Sequence, residues 1–376
     1  MKKPVLKAAA AALSVALLAG PALTGTAAAA TKLIYANYLS PKHSTTPELV
    51  KYFEAVEKDT NGSIDWEWHF ASALLGIKDI PSGVRDGIAD GGYFVGALVP
   101  SEMPVDAYLT DFSLMNDDAI AMSGVINELV LLRCPECDDE FRNRFNVQYL
   151  ASYAPTDYVF QCKEEFRSLA DFKGQKIRAF GGWSDMIKAM GGIPVSIPAN
   201  EMYEAMSRGI IACAPHSITN QKTRSMGEVA HYIILNSVGG FFGGSLINLR
   251  TDKWDKLTPE ERKVMLKHLP ALVAASAFNY VRMDETVRKE MEAKGNKFYD
   301  ADPDLAKFIT DFRASYVKEQ TPKKGHERGV KDPEGIAATI RELRAKWDGL
   351  LKKHGRDRAT FEKLLWDEVY SKVPVK

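Results

Sequence analysis

Residues 171–213 read DFKGQKIRAFGGWSDMIKAMGGIPVSIPANEMYEAMSRGIIAC, and their punctuation decides the fold. Gly174 closes one segment, and 175–180 then has the length and composition of a short strand. Gly181 and Gly182 break it. The stretch 184–190 predicts a helix, stopped by Gly191 and Gly192, and 194–198 is a second short apolar run. Asn200 suits the cap of a further helix, in which Met202, Ala205 and Met206 share one face. Gly209 ends that helix, and Ile210 with Ile211 reads as the start of another strand. Strand and helix alternating across tight glycine turns is the pattern of a parallel, doubly wound α/β sheet.

Within this stretch Arg178 carries the functional question. On a period-2 strand, Ile177 and Ala179 face one way and Arg178 and Phe180 the other. The strand ends within two residues of Arg178. Ligands of open α/β sheets bind beyond the carboxyl ends of strands. The next helix offers free N–H groups at its start, suited to an anion. A guanidinium there can hold a carboxylate through two parallel hydrogen bonds. The plainer reading is an arginine in a surface ion pair, since charged side chains are mostly solvated.

The segments LADFKGQKIRAF (169–180) and GGIPVSIPANEMYEAMSRGII (191–211) decide between them by resemblance. Leu169, Asp171 and Gly174 lead into Lys176–Ile177–Arg178; Gly191, Pro194 and Val195 follow, then Glu201, Tyr203 and Ala205. This order resembles the periplasmic solute-binding proteins of TRAP transporters, the DctP-like family. The resemblance implies a two-lobed periplasmic binding protein fold, with a hinged cleft and a long helix bracing both lobes. It implies that Arg178 binds a substrate carboxylate, that small and large TRAP membrane subunits are the partners, and that no cofactor takes part. His216 falls on the position of a family asparagine that contacts substrate. The basic residue usual some twenty positions before the arginine is absent, and Tyr158 lies there. One cation fewer points to a monocarboxylate.

Further candidate contacts are aromatic. Tyr153, Tyr158, Phe160, Phe180, Trp183, and Phe241 with Phe242 crowd the predicted cleft, and such walls suit an aromatic or apolar acid. Their alternative role is core packing. Asn37, at the end of the first strand, and Tyr93, after Gly91 and Gly92, are taken as contacts from the first lobe.

Outward from this stretch, residues 1–30 read as an export signal: Lys2, Lys3 and Lys7, an apolar run from Ala8 to Gly20, and the small residues Ala28 to Ala30. The mature chain then begins near Thr31 and is periplasmic. No later run of the sequence matches the ~20 consecutive apolar residues of a membrane helix. Basic and acidic residues balance at 49 each; without the three signal lysines the count is 46 against 49. That excludes a general electrostatic attraction to nucleic acid or anionic membrane. The chain is expected to act as a monomer.

The mature length suits two domains. Lobe I is expected over 31–153 with a return near 240–280, and lobe II over 154–239, completed by helices within 281–376. Strands are expected at 32–37, 64–69, 147–152, 158–162 and 246–249, and helices from Thr46 and over 119–132. Thr258–Pro259–Glu260–Glu261 is a capped helix start, and the helix runs to about residue 292 with a kink or break at Pro270. Further helices are expected at 303–318, 333–353 and 360–370. The stretch 138–144 reads as charged and exposed, and 323–331 as a polar linker. A faint repeat pairs Arg85-Asp-Gly-Ile-Ala-Asp90 with Arg208-Gly-Ile-Ile-Ala-Cys213.

Four cysteines allow three pairings. In an oxidising compartment Cys134–Cys137 and Cys162–Cys213 is the favoured set, because the first two lie so close together. Cys134–Pro–Glu–Cys137 also admits a redox pair or half a zinc site, although Glu136, Asp138, Asp139 and Glu140 disfavour a reactive thiolate. No HExxH, GxSxG or Walker pattern is present. The 239–244 glycine run lacks dinucleotide spacing and reads as a close backbone approach. Two other classes remain: an exported enzyme using the Cys134–Cys137 thiols or His216, and a binding protein serving a sensor or ABC permease.

Overall fold

The computed structural model describes residues 30–375; the expected export signal lies outside them apart from Ala30. Two sheets form the core of the two lobes. The first contains β1 (Thr31–Ala36), β2 (Ile64–His69), β3 (Gly91–Phe94) and β4 (Val147–Ala151). The second opens with β5 (Val159–Cys162), β6 (Lys176–Arg178), β7 (Ile193–Val195), β8 (Cys213–His216) and β9 (Tyr232–Ile234). The chain then returns to the first sheet as β10 (Ser245–Arg250) and later adds β11 (Lys297–Tyr299) to the second. The orders are β2-β1-β3-β10-β4 and β11-β9-β5-β8-β6-β7.

The three strands of 171–213 are parallel as expected, but each sheet as a whole is mixed. β6 is parallel to β7 and β8, but β5 runs antiparallel to β8 and β9. In the first sheet β10 is antiparallel to both neighbours. A strand that enters by crossing between lobes arrives with no helix of its own to reverse it, so it need not run parallel.

The faint repeat is structural. Gly87 (φ 85°) and Gly209 (φ 69°) each end a helix in the left-handed region. In each turn the next N–H reaches back five residues, Ile88 to Gly83 and Ile210 to Ala205. Aligned on these glycines, β3 and β8 begin at the same place, Gly91 and Cys213. The strand therefore starts two residues later than expected after Ile211, and Ile210 is a 46% exposed turn residue.

The helix Pro259–Ala293 braces both lobes. Thr258 and Glu261 close the expected capping box. Pro270 does not end the helix, which continues for 35 residues, about 52 Å at 1.5 Å each. By length and composition it could cross a membrane, yet most of its apolar stretch is buried inside the protein. It packs on the helices Thr46–Asp59 and Ala119–Glu128 beside the first sheet, and on β11 beside the second. Asp284, on this helix, accepts from Thr219 N–H at 2.6 Å and from the Thr156 hydroxyl, pinning it to the second lobe and the crossover.

Within 281–376, Pro303–Ser315 packs beside the second sheet, where Asp304 accepts from Leu169 N–H at 3.0 Å and Arg313 donates to Ser237 O at 3.1 Å, whereas Pro333–His354 and Arg358–Glu368 pack on Ala119–Glu128 and the long helix. Two further expectations change. The stretch read as a polar linker contains a helix, Thr321–Arg328. It is held in place by packing: Gly325 meets Pro333 and Tyr108, and Arg328 pairs with the wholly buried Asp111 at 3.0 Å. In the stretch read as exposed, Glu140 is buried and its two oxygens accept from Val105 and Asp106 N–H, each at 2.8 Å, capping a helix start.

The long helix carries the chain from β10 to β11, and two shorter crossovers also join the lobes, between β4 and β5 and between β9 and β10. They pair with each other: Tyr158 N–H donates to Gly239 O at 2.8 Å, and Val238 N–H to Tyr158 O at 2.9 Å. A Cβ on Gly239 would lie 2.2 Å from Ser113 O, so the glycine run is a close backbone approach, as read from the sequence.

Candidate functional site

A small cavity of ≈40 Å³ lies where the crossovers meet the two sheets. Tyr153, Pro155 and Tyr158 reach it from one crossover, Phe241 from the other, and Tyr280 from the long helix. Tyr93 enters from β3, Arg178 and Phe180 from β6, and His216 from β8. Seven of the eleven side chains expected at the site therefore converge, the exceptions being Asn37, Phe160, Trp183 and Phe242.

Arg178 ends β6 and is 3% exposed. Its Nε donates to Ile197 O at 2.9 Å and its Nη1 to Pro215 O at 3.3 Å. The guanidinium lies over the Phe180 ring, 4.8 Å from the centroid. Burial pulls its pKa down to about 10, which leaves it charged at neutral pH. Among the described residues no acidic side chain lines the cavity. A buried cation whose fixed partners are only neutral carbonyls is electrostatically incomplete, and an anion completes it.

His216 is held in one tautomer. Its Nδ1 accepts from Ser217 N–H at 2.9 Å and from the Asn220 amide at 2.5 Å, so the ring proton is on Nε2. Burial, reinforced by Arg178 and Arg224, pushes its pKa well below the ordinary value, so the ring is neutral. Tyr158 stacks on it at 4.4 Å and on Trp183 at 5.0 Å. Trp183 thus stands behind the lining, its Nε1 donating to Val238 O at 2.7 Å.

Asn37 is a turn residue. Its Oδ1 accepts from Leu39 N–H at 2.8 Å and its amide donates to Tyr35 at 3.3 Å. The helix Gly182–Ala189 does not open its first turn into the cavity. Gly181 and Gly182 pack on Thr110, Asp111 and Leu114 instead. Phe160 faces Phe172 at 4.9 Å, within the core, and Phe242 is also core.

The chain and its fold have known relatives. The family model of DctP, bacterial extracellular solute-binding protein family 7, matches residues 35–321. The chain belongs to this family, the periplasmic solute-binding proteins of TRAP transporters. A solute-binding protein of Sulfitobacter sp. (strain NAS-14.1) is 25% identical over 228 residues, 59% of this chain and 67% of the relative. A TRAP solute-binding protein of Rhodoferax ferrireducens T118, in complex with copurified benzoate, superposes with a TM-score of 0.73 at 21% identity, covering 85% of this chain and 99% of that one. One from Pseudomonas putida F1, with bound D-glucuronate, gives 0.67 at 20% identity, covering 85% and 97%.

In this DctP-family chain, sequence reading missed four polar members of the cavity: Tyr38, His43, Arg224 and Tyr280. His43 Nδ1 accepts from Thr45 N–H at 3.3 Å, so its Nε2–H donates to the Tyr280 hydroxyl at 2.9 Å and the Tyr280 proton is free to turn inward. Tyr153 stacks on Tyr280 at 5.8 Å, and Tyr38 meets Tyr93 at 5.2 Å. Arg224 matters most, because it is a second guanidinium in the cavity, near enough to disfavour the charge on Arg178. Its sequence neighbours, Lys222, Thr223 and Ser225, carry no apolar period, so nothing marked it. Both expected disulfides are present, Cys134–Cys137 and Cys162–Cys213, and the second joins register partners of β5 and β8.

Proposed function

We propose that this protein captures an organic-acid anion in the periplasm and delivers it to the small and large membrane subunits of a TRAP transporter, acting as a monomer. The observation that supports this most is Arg178, buried at a strand end, charged, and without an acidic partner in a cavity between two lobes. Lobe closure excludes water around that charge and strengthens its pairing with a carboxylate. Phe180, Phe241 and the tyrosines make an aromatic wall, so the body of the ligand is aromatic or flat and apolar. The benzoate held by the Rhodoferax relative fits that reading better than the D-glucuronate of the Pseudomonas one.

A thiol-dependent enzyme is poorly supported, since all four cysteines are paired. A thermal-shift screen with aliphatic, keto and aromatic carboxylates tests the proposal, because a ligand that binds the native state raises its stability by mass action. Aromatic carboxylates are expected to raise the melting temperature most. A rise with neutral solutes and none with any carboxylate overturns the reading.

A further inference from the structure

We infer that the ligand carries two negatively charged groups on a flat apolar body, one held by Arg178 and the other by Arg224. This deepens the proposed function and rests on it, since it takes the same cavity as the binding site.

Arg224 follows the short helix Asn220–Thr223, at a point where Ser225 turns into the left-handed region at φ 54°. The side chain lines the cavity, and its Nε is fully enclosed with no hydrogen-bond partner. Among the described residues its guanidinium forms no ion pair, while most basic groups near the surface of this protein find an acid. An enclosed N–H without a partner is costly, and a native structure keeps one where a ligand satisfies it.

The cavity thus holds two guanidiniums and no carboxylate. They are near enough that Arg224 disfavours the charge on Arg178. A single carboxylate on Arg178 would leave the second cation, half-buried on the same cavity lining, without a counter-charge. The two are also free to different degrees. Arg178 has committed Nε and Nη1 to backbone carbonyls, so its free edge is narrow. Arg224 has its whole fork open, the geometry that grips a carboxylate through two parallel bonds. The remaining polar groups reinforce the preference for acceptors: His216 offers Nε2–H, and Tyr280 a hydroxyl proton. Apolar side chains such as Ile77, Leu98 and Phe241 fill the wall between, which suits a ring better than a hydroxylated chain.

Isothermal titration of the full exported chain at pH 7.5 with benzoate, and with the 1,2-, 1,3- and 1,4-benzenedicarboxylates, tests this. At least one dicarboxylate is expected to bind tenfold or more tightly than benzoate. Arg224→Met is expected to abolish that advantage, and Arg224→Lys to restore part of it, with unchanged thermal unfolding of the free variants. If benzoate equals or exceeds every dicarboxylate, or if Arg224→Met leaves the ratio unchanged, the two-anion inference is wrong. In that event, benzoate binding that is lost in Arg178→Met keeps the carboxylate reading intact. If none of the four acids binds, both readings fall.

Discussion

The His216 imidazole lies flat on the ring of Tyr158, with centroids 4.4 Å apart and planes 26° from parallel. The stack and the bonds to Nδ1 fix the ring, and together they leave Nε2–H as a preset donor. His216→Phe keeps the stack and removes the donor. A hydrogen bond to a charged group contributes about 1.5–3 kcal/mol, so carboxylate affinity should fall roughly 10- to 100-fold, while the Ser217 N–H and Asn220 amide left without their acceptor lower the melting temperature. Titration calorimetry beside a thermal melt checks both parts; unchanged affinity would remove His216 from the binding set.

His43 and His216 also set a pH dependence. Burial holds both well below the ordinary histidine pKa in the native state. In the unfolded chain each takes up a proton as pH falls through about 6.5, so the unfolded state binds more protons. Their contribution is present above that pH and is lost as pH falls below it, by about 1.4 kcal/mol per pH unit for each histidine. His43→Gln should remove one such slope relative to wild type in urea melts between pH 5 and 7. Parallel pH profiles of the two proteins contradict this.

The disulfides should differ in worth. Cys162–Cys213 spans 51 residues and Cys134–Cys137 only three. Loop entropy gives about 4 kcal/mol for the first and about 2 kcal/mol for the second. The Cys162→Ser/Cys213→Ser protein should therefore melt several degrees below the Cys134→Ser/Cys137→Ser protein in differential scanning calorimetry.

Gly124 is a packing requirement. The Trp347 indole rests on the backbone there, and a Cβ would sit 2.3 Å from the ring. Trp347 is fully buried and its Nε1 donates to Glu128 at 2.9 Å, so it has nowhere to retreat. Gly124→Ala should cost about 1–3 kcal/mol by overpacking, despite its better helix propensity. Denaturant unfolding reads this directly; a stabilised variant would show that the indole moves freely.

What could be read from the sequence was set by local signals. The face of Arg178 and the strand end beside it were legible from a two-residue period and a glycine pair, whereas its expected role came from the family resemblance. The long helix was legible because Thr258, Pro259 and Glu261 form a capping box whose chemistry is local. Arg224 and Glu140 were not, since each sits among polar neighbours and gains its role from segments distant in sequence: Glu140 caps a helix that begins 36 residues earlier, at Pro104. Asn37 and Trp183 were drawn to the site by proximity in sequence, but a turn and a ring stack claim them. The linker at 323–331 was misread because polarity alone does not distinguish a loop from a helix fastened at Gly325 and Arg328.

The central claim is that the Arg178 charge holds a carboxylate. The most direct measurement is titration of the wild type and of Arg178→Met with whichever aromatic acid gives the largest thermal shift. Loss of at least 100-fold in affinity, with the variant still folded, is the predicted result. An Arg178→Met protein that binds the acid as tightly as the wild type contradicts the account.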